Sequence, residues 1–507
     1  MIILSHTFVK LLPTFTPETN NLASQILKKN GTSIPARIQF AKDAIKMFFT
    51  KPIFGYGLRT FRYEMVKFRP FGGLYSILPH SSILMLLSET GIFSTFFFLL
   101  TIFSILVKSF PLAKKSSLFA VIYTATISLL LHTFVDIDFI YPLAVTITFI
   151  LLGLLVNLSD NKGKKIYLPN KRFVSVVLLT IFAFLIVSIS PKAISSVYGL
   201  SGNYKFNNGE LINAAYSYIS AIKHDFNNDI YHYRIASIYR ELSFSKTLSC
   251  NNKITFKELK EAMTLNPINF NYPEMYGILK LALKNQESIA YFNKTIELNP
   301  TDPNIPALKS LAIVYTENNI SDAKDLAETI LRKNPNNSIA LTTIGLCELP
   351  SPSSLSYFTK ALKLDKYNSF AYLGKALYYK HINDKEKEVE NLFKLTRISH
   401  CLKEGWTEYL QTAPIIKIDS YKISGSSLLL SWSVIKNKNL IKTFLIKIES
   451  QNGKILKTIQ VDNATNKIEI KNFAFVRRNN VKISITALDN NNLPVSEIVS
   501  KYNPIQN

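Results

Sequence analysis

The sequence predicts a mainly α chain in three parts: polytopic membrane helices, a solenoid of helix pairs and a small all-β sandwich. Three observations predict it. Long apolar runs are concentrated between residues 83 and 190, a helix-ending signature recurs between 221 and 365, and after Trp406 apolar residues alternate with period two. At 507 residues the chain has the length of about three domains. With 47% apolar and 19% charged residues it is not disordered, and three cysteines exclude a disulfide framework or a cysteine-built metal cluster. Fifty-nine Lys plus Arg against thirty-five Asp plus Glu leave +24, a balance that attracts phosphates, anionic lipid or nucleic acid.

Four runs approach the roughly 20 residues that a hydrocarbon core demands: Ile83–Val107, Ser117–Phe134, Phe139–Leu158 and Phe173–Ser190. Lys108, Lys114 and Lys115 separate the first two, and Lys162, Lys164, Lys165, Lys171 and Arg172 separate the last two, so these loops read as cytoplasmic. Val135–Asp138 holds two Asp and no base, which places it outside with residues 1–80 and everything after 190. The expected location is the cytoplasmic (inner) membrane, multi-pass, with an extracytoplasmic tail. The eight basic residues from Arg37 to Arg69 would then cross the membrane first, yet MIILSHTFVKLLPTF has neither a signal-peptide plan nor an unbroken span. The chain is therefore expected to begin in the middle of a longer protein.

Residues 1–82 read as a basic outer loop. Pro35 suits the first turn of a helix with Ile38, Ala41, Ile45 and Phe48 as its apolar face, stopped by Pro52. Gly-Tyr-Gly at 55–57 turns the chain, and Arg59, Arg62, Lys67 and Arg69 follow with Phe61, Tyr63, Phe68 and Phe71 between them. Bases interleaved with aromatics suit a phosphate-bearing membrane lipid or single-stranded nucleic acid, and an outer position excludes nucleic acid. PHSSILMLLSETG places His80 at the mouth of the first span, Ser81 beside it and Glu89 about two turns inside. One straight helix through both would put His80 and Glu89 on opposite faces.

Residues 83–190 are the four spans, and 200–405 carry the recurring break: AIKHDFNN, AMTLNPIN, TIELNPTD, ILRKNPNN and ALKLDKYN. The markers Asp225, Asn266, Asn299, Asn334 and Asp365 lie 41, 33, 35 and 31 residues apart. A period near 34 resembles tetratricopeptide repeats, degenerate from 230 to 260. Over 413–505 the segments SLLLSWSV, KTFLIKIES, KIEIKNF and VKISITALD are short alternating strands. With Trp432 inside one of them, this part resembles a fibronectin type III module.

RIQFAKDAIKMFFTKPIFGYGLRTF, then His80-Ser81 and Gly91, resembles the C-terminal half of the O-antigen ligase and polymerase superfamily over residues 35–160. The matching positions are Arg37, Pro52, Gly55, Gly57, Phe61, His80, Ser81, Glu89 and Gly91; Ser94 stands where a second glycine is usual, and Leu78 where many members have His. The resemblance implies a GT-C-like membrane glycosyltransferase. Such an enzyme moves a glycan from undecaprenyl diphosphate to an acceptor hydroxyl outside the membrane, with no metal or cofactor. By that resemblance His80 is the catalytic base and Arg37 holds the diphosphate, since guanidinium groups pair with phosphate oxygens bidentately. Arg59 and Arg62 join Arg37 by position in the loop alone. Ser81, Glu89, Asp136 and Asp138 are candidate supports.

The plainer readings are a polar residue at a span boundary for His80, helix packing for Glu89, solvated turn carboxylates for Asp136 and Asp138, and lipid headgroup contacts for the loop bases. His6, His132, His224, His232, His381 and His400 have no metal-ligand spacing, and Cys250, Cys347 and Cys401 read as packing residues. The partners expected are an undecaprenyl-diphosphate-linked glycan, membrane lipid, and a glycan or protein acceptor met through the repeats. The alternative is a catalytically inert, membrane-anchored repeat scaffold in cell-envelope polysaccharide assembly. A transporter fragment is the third reading.

Overall fold

The computed structural model describes residues 34–114, 116–136, 140–159, 171–244, 253–399, 402, 411, 413–424, 427–450, 455–471, 481–489 and 494–502. Helix α1 (Ile34–Thr50) takes Pro35 in its first turn and stops ahead of Pro52. Its packed face differs from the expected one. Ala36, Phe40, Ala44 and Met47 are buried, while Ile38 and Ile45 are 50% and 41% exposed. The helix has two apolar stripes, and the one that packs meets Phe61, Met65 and Val66 of the short helix α2 (Phe61–Glu64) and the 3-10 turn after it. Over residues 34–82 the basic loop is thus a folded body.

Helices α3 (Ser82–Ala113), α4 (Ser117–Val135) and α5 (Pro142–Ser159) follow, then α6 (Lys171–Asn207). Among the described residues only two of the four expected spans are long and apolar enough to cross a membrane: Ser82–Ala113 and Ser117–Phe134, with mean hydropathies of 2.2 and 1.6. The third is a shorter apolar helix over Leu143–Asn157, and the fourth run is the first half of α6. In each of the two long helices 17% of the apolar window is buried. A helix in a soluble core would hide most of its length, whereas Phe93, Phe97, Phe103 and Leu118 project outward. Such a surface is costly to leave in water, at about 25 cal/mol for each exposed Å².

The fourth run does not end in a linker. Helix α6 continues past Pro191 and becomes the first helix of the solenoid, so the repeats begin before residue 200. Ser195 Oγ donates to the Ala221 carbonyl at 2.8 Å and Tyr218 Oη to Asn203 Oδ1 at 2.7 Å, tying it to α7 (Leu211–His224). Five more helix pairs follow: α8 (Asp229–Phe244) with α9 (Lys253–Leu265), α10 (Asn271–Ala282) with α11 (Glu287–Leu298), α12 (Asn304–Ala312) with α13 (Ile320–Lys333), α14 (Ser338–Cys347) with α15 (Ser353–Leu364), and α16 (Ser369–His381) with α17 (Lys385–Ile398). Each marker residue directly follows a helix end. Asn334 and Asp365 then accept a backbone N–H two residues on, at 3.3 and 2.8 Å, the side-chain turn that makes Asn and Asp good breakers. Within pairs an aromatic ring of one helix lies over a glycine of the other: Tyr218 on Gly202, Phe292 on Gly277, Phe358 on Gly345. A Cβ built on any of these glycines would come within 2.9 Å of the ring.

The C-terminal strands are β1 (Ile415–Ser424), β2 (Ser427–Lys436), β3 (Thr443–Ser450), β4 (Ile455–Asp462), β5 (Lys467–Ile470), β6 (Val481–Leu488) and β7 (Pro494–Tyr502). They form two antiparallel sheets, in the orders β1-β2-β5 and β4-β3-β6-β7. Trp432 is buried between them, edge to face with Phe444 at 5.5 Å. The expected all-β sandwich is present.

Candidate functional site at the mouth of the helices

The site is built around a break in α3. Gly91 has φ 77 and ψ −174, outside helical geometry, and the turn at 52–57 docks into the opening. Ile92 N–H donates to the Pro52 carbonyl at 2.8 Å, Tyr56 N–H to Ser88 at 3.0 Å and Gly57 N–H to Glu89 at 2.8 Å. A Cβ on Gly91 would lie 2.2 Å from the Ile53 carbonyl oxygen, and one on Gly55 2.4 Å from the Glu89 backbone. Both positions need glycine for space as well as for their positive φ. This contact gives a physical reason for glycines at 55 and 91.

Glu89 is buried, and both carboxylate oxygens are engaged: Oε2 accepts from Arg59 N–H and Oε1 from Phe61 N–H, each at 2.9 Å. It holds the loop where Arg59 turns with φ 63. Ser81 is also structural, as its buried hydroxyl caps α3 by accepting from Leu84 N–H at 3.3 Å. His80 lies just before that cap, at φ 55, so no single helix contains both His80 and Glu89 and the opposite-faces geometry does not arise.

His80 is half-buried and stacks on Phe40 of α1, with ring centroids 5.8 Å apart. Arg37 sits one turn before Phe40 on the same helix. From the other side the Ser82 N–H and Oγ both donate to the Asp136 carbonyl, at 3.0 and 3.1 Å, so the end of α4 is fastened to the start of α3. Three segments far apart in sequence thus bring Arg37, His80 and Asp136 into one neighbourhood. Burial holds the His80 pKa below the usual histidine value. The Arg37 charge pushes the same way, and the Asp136 carboxylate opposes both. Burial and Arg37 thus favour the neutral imidazole, the form that can accept a proton.

The structure does not gather all the predicted groups here. Arg59 is exposed and bonded through its backbone to Glu89, while Arg62 lies over the Tyr63 ring at 5.5 Å. Asp138 lies outside the described residues. Arg69, read from sequence as one more base for lipid, is buried against the repeats. Its Nε donates to Thr301 Oγ1 at 2.7 Å, Nη1 to the Gly73 carbonyl at 3.1 Å and Nη2 to Asn299 Oδ1 at 3.1 Å. Thr301 Oγ1 in turn donates to the Val66 carbonyl at 2.7 Å, and Gly72 N–H to the Thr301 carbonyl at 2.7 Å.

The loop touches three successive inter-repeat turns. Tyr75 packs edge to face on Phe270 at 6.1 Å, Arg69 binds at 299–301, and Lys333 covers Phe71 at 5.2 Å. Sequence reasoning found the turns as repeat markers and missed that they are also a docking edge. Phe40 was missed as well. Its spacing of three from Arg37 on a helix was the available signal.

No protein-family profile matches the chain, and no curated protein matches it. Solved structures with similarity include PilW, a type IV pilus biogenesis factor (18% identity, 42% of this chain and 97% of that one, TM-score 0.31). PilF of Pseudomonas aeruginosa gives 16% identity over 43% of this chain and 99% of that one, TM-score 0.30. YrrB, a tetratricopeptide protein with an unusual peptide-binding site, gives 18% over 38% and 97%, TM-score 0.30. At these scores the likenesses add no weight, and the repeat assignment rests on the helix pairs themselves.

Proposed function

We propose that the chain is a membrane-anchored repeat scaffold of cell-envelope polysaccharide assembly whose solenoid holds a folded basic loop at the mouth of the apolar helices. We infer further that this mouth transfers a glycan from an undecaprenyl-diphosphate carrier to an acceptor hydroxyl. The observation that carries the finer reading is the meeting of Arg37, His80 and Asp136 at one end of α3. The scaffold reading is favoured by the run of loop contacts along the repeat turns.

In the transfer step the neutral His80 takes the acceptor proton as that oxygen attacks the anomeric carbon. The bond from that carbon to the phosphate oxygen breaks, and the lipid diphosphate leaves with the electron pair. Arg37 pairs with the charge that develops on it. No step calls for a metal. Exposed Phe49, Phe54 and Leu58, at 73%, 83% and 73%, would rest in the bilayer interface and keep the mouth at headgroup depth. The sidedness is inferred from Lys108, Lys114 and Lys115, which lie between the two span-length helices and favour the cytoplasm.

The test is incubation of membranes holding the full chain with an undecaprenyl-diphosphate-linked oligosaccharide and acceptor. Wild type is expected to release undecaprenyl diphosphate, and His80→Ala to fail at unchanged protein level. Equal release by both would leave the scaffold reading and remove the catalytic one.

A further inference from the structure

We propose that the second and third repeats carry a binding site for an anionic polysaccharide segment, in the cleft between α9 and α10. The cleft measures about 370 Å³ and is lined by Lys253, Lys257, Lys260 and Lys280 around Phe256 and Tyr276. Among the described residues Glu261 is the one acid in its lining. The site is separate from the mouth of α3 and does not depend on transfer there.

Lys253, Lys257 and Lys260 are exposed and share one face of α9, a row about 10 Å long at 1.5 Å rise per residue. That is close to the length of two sugar rings. Lys280 approaches from α10. Its Nζ lies over Phe256 at 5.1 Å and Tyr276 at 5.6 Å, and Glu287 fixes it by an ion pair at 2.8 Å. The two rings are themselves packed edge to face, 5.0 Å apart. The result is a row of cations beside a partly exposed Phe256 ring, with Tyr276 buried beneath it.

Three properties select the ligand. Like charges one turn apart on a helix repel, and a polyanion laid along the row relieves that repulsion. Lysine ammonium groups act as flexible point charges, which suits carboxylate or phosphate substituents on successive sugars better than one fixed planar group. The partly exposed Phe256 ring beside the row gives the face of a sugar ring an apolar contact.

The experiment uses the full chain in lipid nanodiscs and a fluorescent oligogalacturonate, which has a carboxylate on every ring. Oligogalacturonate is expected to bind in a salt-sensitive way, and a neutral maltooligosaccharide of equal length is not. Replacing Lys253, Lys257 and Lys260 together by Ala should weaken binding about tenfold or more, while the triple Arg replacement should retain it. All three side chains are exposed, so the thermal melt serves as the control for folding. His80→Ala should leave this binding unchanged. Equal binding of the neutral sugar, indifference to the triple Ala replacement, or equally tight lysine-dependent capture of poly-glutamate or phosphatidylglycerol vesicles would each overturn the proposal.

Discussion

Arg37 and Arg69 lie on one basic segment and end in opposite surroundings. Arg37 stands half-buried at the mouth of α3, beside His80 and the end of α4. Arg69 is enclosed at the seam with the repeats, where three oxygens accept its N–H groups and burial lowers its pKa. A guanidinium whose donors are satisfied by protein oxygens has little left to offer a ligand, and its work is to hold two parts of the chain together. A count of bases between Arg37 and Arg69 cannot tell the two apart.

The difference can be broken from the mouth first. His80→Ala is expected to lower transfer by about 100-fold or more with the melting temperature unchanged. The acid limb of the pH–rate profile sharpens it. With the His80 pKa held low, the base is lost at lower pH than for an ordinary histidine. Arg37→Ala should move that limb to higher pH, and Asp136→Asn to lower pH, because Arg37 disfavours the imidazolium and Asp136 favours it. A limb that ignores both charges would separate them from His80.

At the joint between mouth and loop, Gly91→Ala puts a Cβ 2.2 Å from the Ile53 carbonyl oxygen at a φ of 77, so the turn at 52–57 should detach. Faster proteolysis in the loop would report it. At the seam, Arg69→Met should cost about 1.5–3 kcal/mol of loop docking, read as faster amide exchange over 66–73 with the repeats' own helices still protected. Uniform protection in this variant would mean that the seam does not hold the loop.

The smallest effect lies within the repeats. His232 Nδ1 is 2.7 Å from Glu258 Oε2, and this hydrogen bond raises the histidine's pKa. The pair's stabilisation is therefore fully present below the ordinary histidine value and is lost as pH rises through the raised one. His232→Ala should lower stability by under about 1 kcal/mol on the acid side, and the gap from wild type should close in mild alkali.

The repeats were legible in the sequence because their punctuation is local. Asn and Asp at 225, 266, 299, 334 and 365 each directly follow a helix end, and Asn334 and Asp365 do so by accepting from their own backbone, a local habit of these residue types. The sandwich was legible for a similar reason, since alternation in SLLLSWSV fixes which side chains face inward. The packed face of α1 was not, because Ile38 and Ile45 are as apolar as Phe40 and Met47, and only the partner decides which stripe is covered. The apolar runs indicated helices correctly, but run length alone did not separate two span-length helices from a shorter one and from a helix that enters the solenoid.

At the site, resemblance named Arg37 and His80, but the roles of Glu89 and Arg69 depend on contacts across 28 to 232 residues that no local pattern encodes.

The most direct test asks on which side of the membrane the mouth, the loop and the repeats lie. With the three native cysteines replaced, single cysteines at exposed Arg59 and exposed Lys333 in intact cells should react with a membrane-impermeant maleimide, while one at Lys108 should react only after lysis. Labelling of Lys108→Cys in intact cells, with Arg59→Cys and Lys333→Cys protected, would place His80 in the cytosol and contradict transfer at the outer surface.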